Sequence, residues 1–433
     1  MEEIALFLDI IHLMKYSYDL AIIGGGAAGL MAAISAKANL PTDKKDFSIC
    51  VLEKNTIVGK KILLTGKGRC NFTNTADKED FIEAFGKNGK FLYHAFNTFS
   101  NYDLISFFED RGVPTKIERG GRVFPENDKA ISILNSLRKQ VRKDKTKIFY
   151  RFPVVKITKS QKEFRIMSSS SQVITAKKLI IATGGKSYEI TGSTGDGHSY
   201  AEDFGHTIEK TRPGLAPLYV KNELIRSLAG LDLKNVQLRI FKGEEEIYKK
   251  IGTVLFTHQG ISGPIVLPSS KLVHKAIAEK ENIVAMIDLK PTIEERQIIK
   301  RLESLIRESA EKEYQSLLKE LLPRSLIPVF IKVSGYDKHR KNKTFNSQNI
   351  KKIAALLKNF SFYIDGVAPI EKAIVTAGGV NLKEIDPNTM ESKLVSNLHF
   401  AGEIINVDGI TGGYNLTAAF STGWLAGKSV VLQ

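Results

Sequence analysis

Cys70 stands in Thr65-Gly66-Lys67-Gly68-Arg69-Cys70-Asn71-Phe72-Thr73-Asn74, where glycines, cations, a thiol and amides lie together between regular elements. Cysteine and phenylalanine are unusual tenants of a merely solvated basic turn, so this composition points to a loop that surrounds a ligand. Upstream, Gly24-Gly25-Gly26-Ala27-Ala28-Gly29 is a G-x-G-x-x-G, and Glu53 follows Gly29 by 24 residues. Type and spacing together fit a dinucleotide site. Gly24 is placed for the tight turn, Gly26 for close approach of backbone to a pyrophosphate, and Gly29 for packing of helix on strand. The helix opening at Ala27 and Ala28 offers free N–H groups and a partial positive charge to phosphate oxygens. Glu53, closing the next strand, is placed to accept from ribose hydroxyls.

The flanking segments have the periodicity such a site needs. Tyr18 to Ile23 is an apolar run of strand length, Leu30 to Ala36 is rich in helix formers, and Phe47 to Leu52 is a second buried strand. Residues 78–112 predict two amphipathic helices, and Ile131 to Lys147 a basic helix whose charges form a solvated face or, on the sharper reading, a nucleic-acid surface. Phe149 to Ile157 and Glu163 to Met167 predict a hairpin. Lys178 to Gly185 is a strand whose end, Thr183-Gly184-Gly185, can bring backbone to a cofactor a second time. His198, in a glycine-rich turn, has the character of a capping or packing residue. From Arg212-Pro213-Gly214 the texture becomes alternating, as in an antiparallel β unit. From Thr292, which with Glu295 predicts a capping box, it becomes helical. The first texture then returns: Thr376-Ala377-Gly378-Gly379-Val380, the strand Asn397 to Glu403, and a last helix opened by Gly412-Gly413. The expected division is an extension at 1–16, a first sheet portion at 17–212, an inserted β domain at 213–291, an inserted helical domain at 292–364, and the second sheet portion at 365–433.

Composition narrows the partners. Among 433 residues, 63 Lys and Arg face 47 Asp and Glu, a net charge of +16. That excess favours an anionic partner, with nucleic acid ahead of membrane. Only two cysteines, Cys50 and Cys70, exclude a disulfide framework and suit a reducing cytoplasm. The apolar run Ile4 to Leu13 is too short to span a bilayer, no other segment is long enough, and Met14 is an alternative start. No metal site is expected.

The stretches Thr65 to Asn74, Gly121 to Pro125, Ala182 to Gly185, Phe256 to Pro264, Thr376 to Val380 and Gly412 to Asn415 together resemble the BaiN/YhiN-like family of FAD flavoproteins, over about residues 17 to 430. The resemblance implies an α/β fold: a Rossmann-like FAD-binding sheet carrying an inserted β-barrel-like plus helical domain. It implies FAD held by Gly24, Gly26, Ala27, Ala28, Gly29, Glu53 and Lys54, by Gly66, Lys67 and Gly68, and by Thr183, Gly184 and Gly185. It extends these contacts to Gly402, Glu403, Gly412, Gly413, Tyr414, Asn415 and Leu416, with the last helix N-terminus facing the flavin ring. Many members carry Gln two positions after Gly-Gly-Tyr-Asn, where this chain has Thr417. The most concrete activity implied is dihydrouridine formation in large-subunit ribosomal RNA: hydride to uracil C6 and a proton to C5. A thiol with a reference pKa of about 8.5 is mostly protonated at neutral pH, so Cys70 is the expected acid. Arg69 and Lys67 would then hold phosphate or uracil carbonyls, Asn71 would read the uracil edge, and Tyr336 and Phe345 would offer aromatic shelves. Two other readings stay open: a reductase or oxidase of a small unsaturated or amine substrate, and a non-catalytic FAD-stabilised RNA-binding factor. No second G-x-G-x-x-G follows a strand, so NAD(P)H is expected as a transient visitor at the flavin face.

Overall fold

The computed structural model describes residues 16–44 and 46–433, so the expected extension and Met14 fall outside the described residues apart from Tyr16. The chain forms two compact units, one running to Arg212 and resuming at Ile374, the other Pro213–Ala373.

The first unit is built on β1 (Tyr16–Ile23), α1 (Ala27–Ala38), β2 (Ile49–Leu52), β3 (Val173–Ile181), β4 (Leu398–Phe400) and α2 (Tyr414–Leu432). β1 lies between β2 and β3, parallel to both, with Ile23 opposite Leu52 and Ile181. β4 runs parallel to the carboxyl half of β3, while the strand Phe164–Ser168 pairs antiparallel with its first half. Leu20 to Ile23 of β1, the whole of β2 and Leu179 to Ile181 of β3 are apolar without alternation and buried, as expected of strands covered on both faces.

α1 and α2 pack with unusual closeness. A Cβ on Gly423 would lie 2.3 Å from the Ala28 carbonyl oxygen, and one on Gly427 2.2 Å from that of Ala32. Small residues four apart on α2 therefore let two backbones touch. Thr376–Val380 stands off the large sheet, in a two-stranded sheet with the strand that begins at Ile208. The 78–112 stretch is more broken than its periodicity suggests. Gly86–Leu92 is a 3-10 turn between Lys78–Glu83 and Tyr93–Thr98, and only Asn101–Glu109 is a longer helix. At Gly89 a Cβ would meet the Ile82 carbonyl at 1.8 Å, so the chain folds back there rather than continuing one helix.

The second unit is a seven-stranded antiparallel sheet whose order begins with Phe360–Ile364 and ends with Gly366–Val367. Those end strands are separated only by Asp365, so the sheet curls back on itself, barrel-like. Its strands and the helices Glu295–Glu308, Tyr314–Lys319, Ile327–Ser334 and Ser347–Lys358 share one core. The expected separate β and helical domains are thus a single unit, and the chain returns to the first unit at Ile374 rather than at 365. The capping box also moves. Glu294 with Gln297, not Thr292 with Glu295, closes the helix start, because the helix begins one residue into the acidic pair. Tyr336 and Phe345 are not shelves: both pack on the buried Tyr314, with the Arg340 guanidinium over each ring. Their aromatic area is spent inside this unit's core.

Candidate active site

The carboxyl ends of β1, β2, β3 and β4 converge, and each expected cofactor loop leaves from one of them. Gly24 N–H donates to the Leu52 carbonyl, Ala182 N–H to Ile23, and Ala401 N–H to Ile181, which holds the four loop roots in register. The three glycines of the first loop divide their tasks as their spacing suggests. Gly24 has φ +102°, and a Cβ there would strike the Ala182 carbonyl at 2.5 Å. At Gly29 a Cβ would lie 1.9 Å from the Gly24 carbonyl oxygen, so helix and loop meet there. Gly26 is different: its backbone is extended and a Cβ would meet nothing within 4 Å. That open space lies at the N-terminus of α1, which has no side-chain cap and no acid in its first turn, with Ala27 and Ala28 as its opening residues. A diphosphate fits such a cradle.

Glu53 is buried. One carboxylate oxygen accepts from Gly25 N–H at 3.0 Å and the other from Asn55 N–H and Nδ2, which fixes the group at the rim of the same space with acceptor capacity left for a ribose hydroxyl. The Lys54 ammonium pairs with Asp196 at 2.7 Å. Thr183, Gly184 and Gly185 follow β3. A Cβ on Gly185 would meet Thr376 Oγ1 at 2.3 Å, so this turn is packed against the Thr376 strand.

Glu403 anchors the opposite side. Its carboxylate accepts from Lys61 Nζ at 2.9 Å, Ser187 Oγ at 2.7 Å and Thr376 N–H at 2.7 Å. Burial alone would raise its pKa, but Lys61, Ser187 and Thr376 together hold it below the ordinary glutamate range. Lys61, Ser187 and Thr376 were not assigned roles from sequence. They lie far apart in the chain, and only folding brings them to one carboxylate. Because the folded pKa is depressed, this cluster contributes stability that is complete above the unfolded value, about 4.3, and is lost as pH falls through the folded one. Lys61→Met removes one of the groups that lower this pKa, so the variant should lose less stability than wild type on acidification from about pH 5 to 3. Urea midpoints of both proteins at the two pH values read this directly.

α2 opens at Gly413 with positive φ, no side-chain cap and no acid in its first turn, so the Tyr414, Asn415 and Leu416 end is a second electropositive helix start. Gly413 is required there, since a Cβ would meet the Thr73 carbonyl at 2.3 Å. Gly402, after β4, donates its N–H to Thr422 Oγ1 on α2. The Asn415 side chain clamps Gly409 and Ile410, so only its backbone is free for a ring. Thr417, at the position where Gln is common, is buried and bonded to Thr73 Oγ1 and the Gly413 carbonyl, tying the helix start to the thiol loop.

In that loop Gly66, Lys67 and Gly68 are exposed, with positive φ at each. Two expectations are corrected. Cys70 is wholly buried among residues such as Leu30, Met31, Phe72 and Leu104, and burial pushes its thiol up to about 12. A sealed thiol cannot meet a substrate, and Cys70 is packing. Cys70→Ala should cost about 1–2 kcal/mol in unfolding free energy and leave turnover per folded molecule within a factor of about two, in place of the 10²–10⁴-fold loss typical of a missing general acid. Arg69 is likewise committed: its guanidinium lies 4.2 Å from the Phe124 ring centre and pairs with Glu118 and Asp128. Asn71, next in the chain, is half-buried, and its Oδ1 is buried without a hydrogen-bond partner. His258 sits in an exposed turn of the second unit and accepts from Arg226 through its carbonyl. His198 is buried in the first unit, as a packing residue would be.

Residues 18–429 match the HI0933-like protein Rossmann domain family. The chain belongs to that family. A 3-dehydro-bile acid delta(4,6)-reductase of Clostridium scindens is 32% identical over 95% of this chain and 98% of its own length. A ribosomal RNA dihydrouridine synthase of Haemophilus influenzae is 29% identical over 97% of this chain and 100% of its own. Among solved structures, an open flavocytochrome c3 fumarate reductase superposes with a TM-score of 0.54 at 15% identity, over 99% of this chain and 81% of its own, which shows the shared fold. This HI0933-like protein is an FAD-dependent oxidoreductase. The open space at Gly26, the fixed Glu53 carboxylate and the two uncapped helix starts are what FAD needs at its diphosphate, ribose and ring. Among the described residues, no helix is long and apolar enough to cross a membrane.

Proposed function

We propose that this protein reduces a uridine of large-subunit ribosomal RNA to dihydrouridine, with NAD(P)H as electron donor. The supporting observation is similarity along the whole chain to a ribosomal RNA dihydrouridine synthase, in a protein whose net charge is +16. FAD, when bound, supplies the hydride for uracil C6. The first loop and Glu53 hold its diphosphate and ribose, and the α2 start steadies negative charge at its ring. Lys67 presents a cation from the exposed turn to a phosphate or a uracil carbonyl. With Cys70 sealed, the C5 proton is delivered from water on the open side of the Gly66–Gly68 turn.

The Clostridium relative favours a second reading, reduction of a carbon–carbon double bond conjugated to a ketone in a small molecule. Both readings ask the same of the residues: a hydride on one carbon and a proton on its neighbour. Purified FAD-loaded protein, given NADH or NADPH without oxygen, separates them. Uridine in a ribosomal RNA transcript should gain two hydrogens by mass spectrometry, while an unsaturated steroid ketone stays unchanged. The opposite pattern would favour the small-molecule reading.

A further inference from the structure

The helix Ala130–Lys143 buries Ile133, Leu134, Leu137 and Val141 and turns Arg138, Lys139, Arg142 and Lys143 to solvent. Lys145 and Lys147 continue the exposed row. Some lysines of the first unit find acids: Lys54 with Asp196, Lys61 with Glu403, Lys116 with Asp128, Lys177 with Asp19. Here, among the described residues, none of the four helix cations makes an ion pair or a side-chain hydrogen bond. Asp144, the one acid in the stretch, accepts from Gln140 at 2.8 Å and is half-buried. Arg138 with Arg142 and Lys139 with Lys143 are like charges one turn apart, an arrangement that costs an isolated helix about 0.2–0.5 kcal/mol per pair. The helix dipole favours Arg142 and Lys143 in the last turn, yet the row as a whole is left without ion pairs, and an anion from outside is its natural complement.

The row is also fixed to the site. Leu134 fills the space beside Gly59, where a Cβ would lie 2.3 Å from it. Beyond Lys147, Glu53 N–H donates to the Phe149 carbonyl and Arg151 N–H to the Asn55 carbonyl. Tyr150, between them, is 42% exposed. We infer that the outer face of this helix, continued through Lys145 and Lys147, tracks an RNA phosphate backbone, with Tyr150 as a platform for a base. RNA is favoured over an anionic bilayer because the apolar face of the helix is spent in the core and cannot enter lipid, whereas cations beside an exposed aromatic suit a single strand.

This inference rests on the RNA reading of the site, and the test keeps the two apart. Full-length FAD-loaded protein carrying Arg138→Glu, Lys139→Glu, Arg142→Glu and Lys143→Glu is compared with wild type for binding a ribosomal RNA transcript across a salt series. FAD content should match wild type, as the four side chains are solvent-facing, and the melting temperature should fall only slightly, through Glu in the helix's last turn. Affinity should fall by about tenfold or more, and the log affinity against log salt slope should flatten by about 3, from four lost single-strand contacts. Uridine reduction should show a raised KM with kcat kept. The same four positions changed to Gln should shift affinity in the same direction by less. If wild type reduces uridine while both variants keep its affinity and slope, the docking surface is overturned and the activity stands. If wild type neither binds RNA nor reduces uridine, the activity falls and the surface with it. Loss of binding to phosphatidylserine vesicles, with RNA binding intact, would overturn it in favour of a membrane.

Discussion

Gly26→Val folds like wild type and purifies without FAD. The backbone at this position is extended, a conformation any residue adopts, and a Cβ finds nothing within 4 Å. The new side chain therefore strains no protein contact. It fills the space at the start of α1 that the diphosphate needs, and it covers N–H groups that have no other ligand. Absorbance near the flavin bands should vanish and product formation should fall below detection. The melting temperature should equal that of wild-type apoprotein, having lost only the stabilisation that bound FAD provides, about 4 kcal/mol at a thousandfold excess over Kd. Gly29→Val separates this local effect from a general one. Its Cβ would lie 1.9 Å from a backbone oxygen, so that variant should unfold as well as lose cofactor. Retention of FAD by a folded Gly26→Val protein would remove the diphosphate cradle from this loop.

Gly423→Val should be among the most destabilising single changes in the first unit. Its Cβ would sit 2.3 Å from the Ala28 carbonyl, and backbone cannot swing aside as a long side chain can. α1 and α2 must part, although their contact carries both uncapped helix starts of the site. A cost of about 3 kcal/mol is expected from such overpacking. For a unit of this size that lowers the melting temperature by roughly 6–12 °C. FAD affinity should fall with it, because the two helix starts are held by that crossing. Gly423→Ala should lie between wild type and Val. Equal melting temperatures for all three would mean that the crossing is looser than described.

Much of the sheet was legible before folding because its signals are local. The Gly24–Gly29 loop, the apolar runs on either side and Glu53 lie within one continuous stretch, and Gly24 and Gly29 take the close approaches their spacing implies. What was illegible depends on distant segments meeting. Cys70 has the neighbours of a ligand loop in sequence, yet Leu30, Met31 and Leu104 arrive from other elements to bury it. Arg69 looked free until Glu118 and Asp128 closed on it from across the turn. The Lys61, Ser187, Thr376 and Glu403 cluster draws on four segments, so no spacing rule could reveal it. Tyr336 and Phe345 flank a basic run, which suggests a nucleic-acid shelf, but Tyr314 takes both rings into a core. Gly423 and Gly427 were visible as glycines in a helix. Their purpose needed the carbonyls of α1 beside them.

Dihydrouridine in ribosomal RNA is the most direct readout of the proposed activity. Large-subunit RNA from cells lacking this gene is mapped nucleotide by nucleotide by mass spectrometry, beside RNA from the same cells given back the wild-type or the Gly26→Val protein. Dihydrouridine at one site should be missing in the deletion, return with wild type and stay missing with Gly26→Val. An unchanged set of dihydrouridines in the deletion would contradict it.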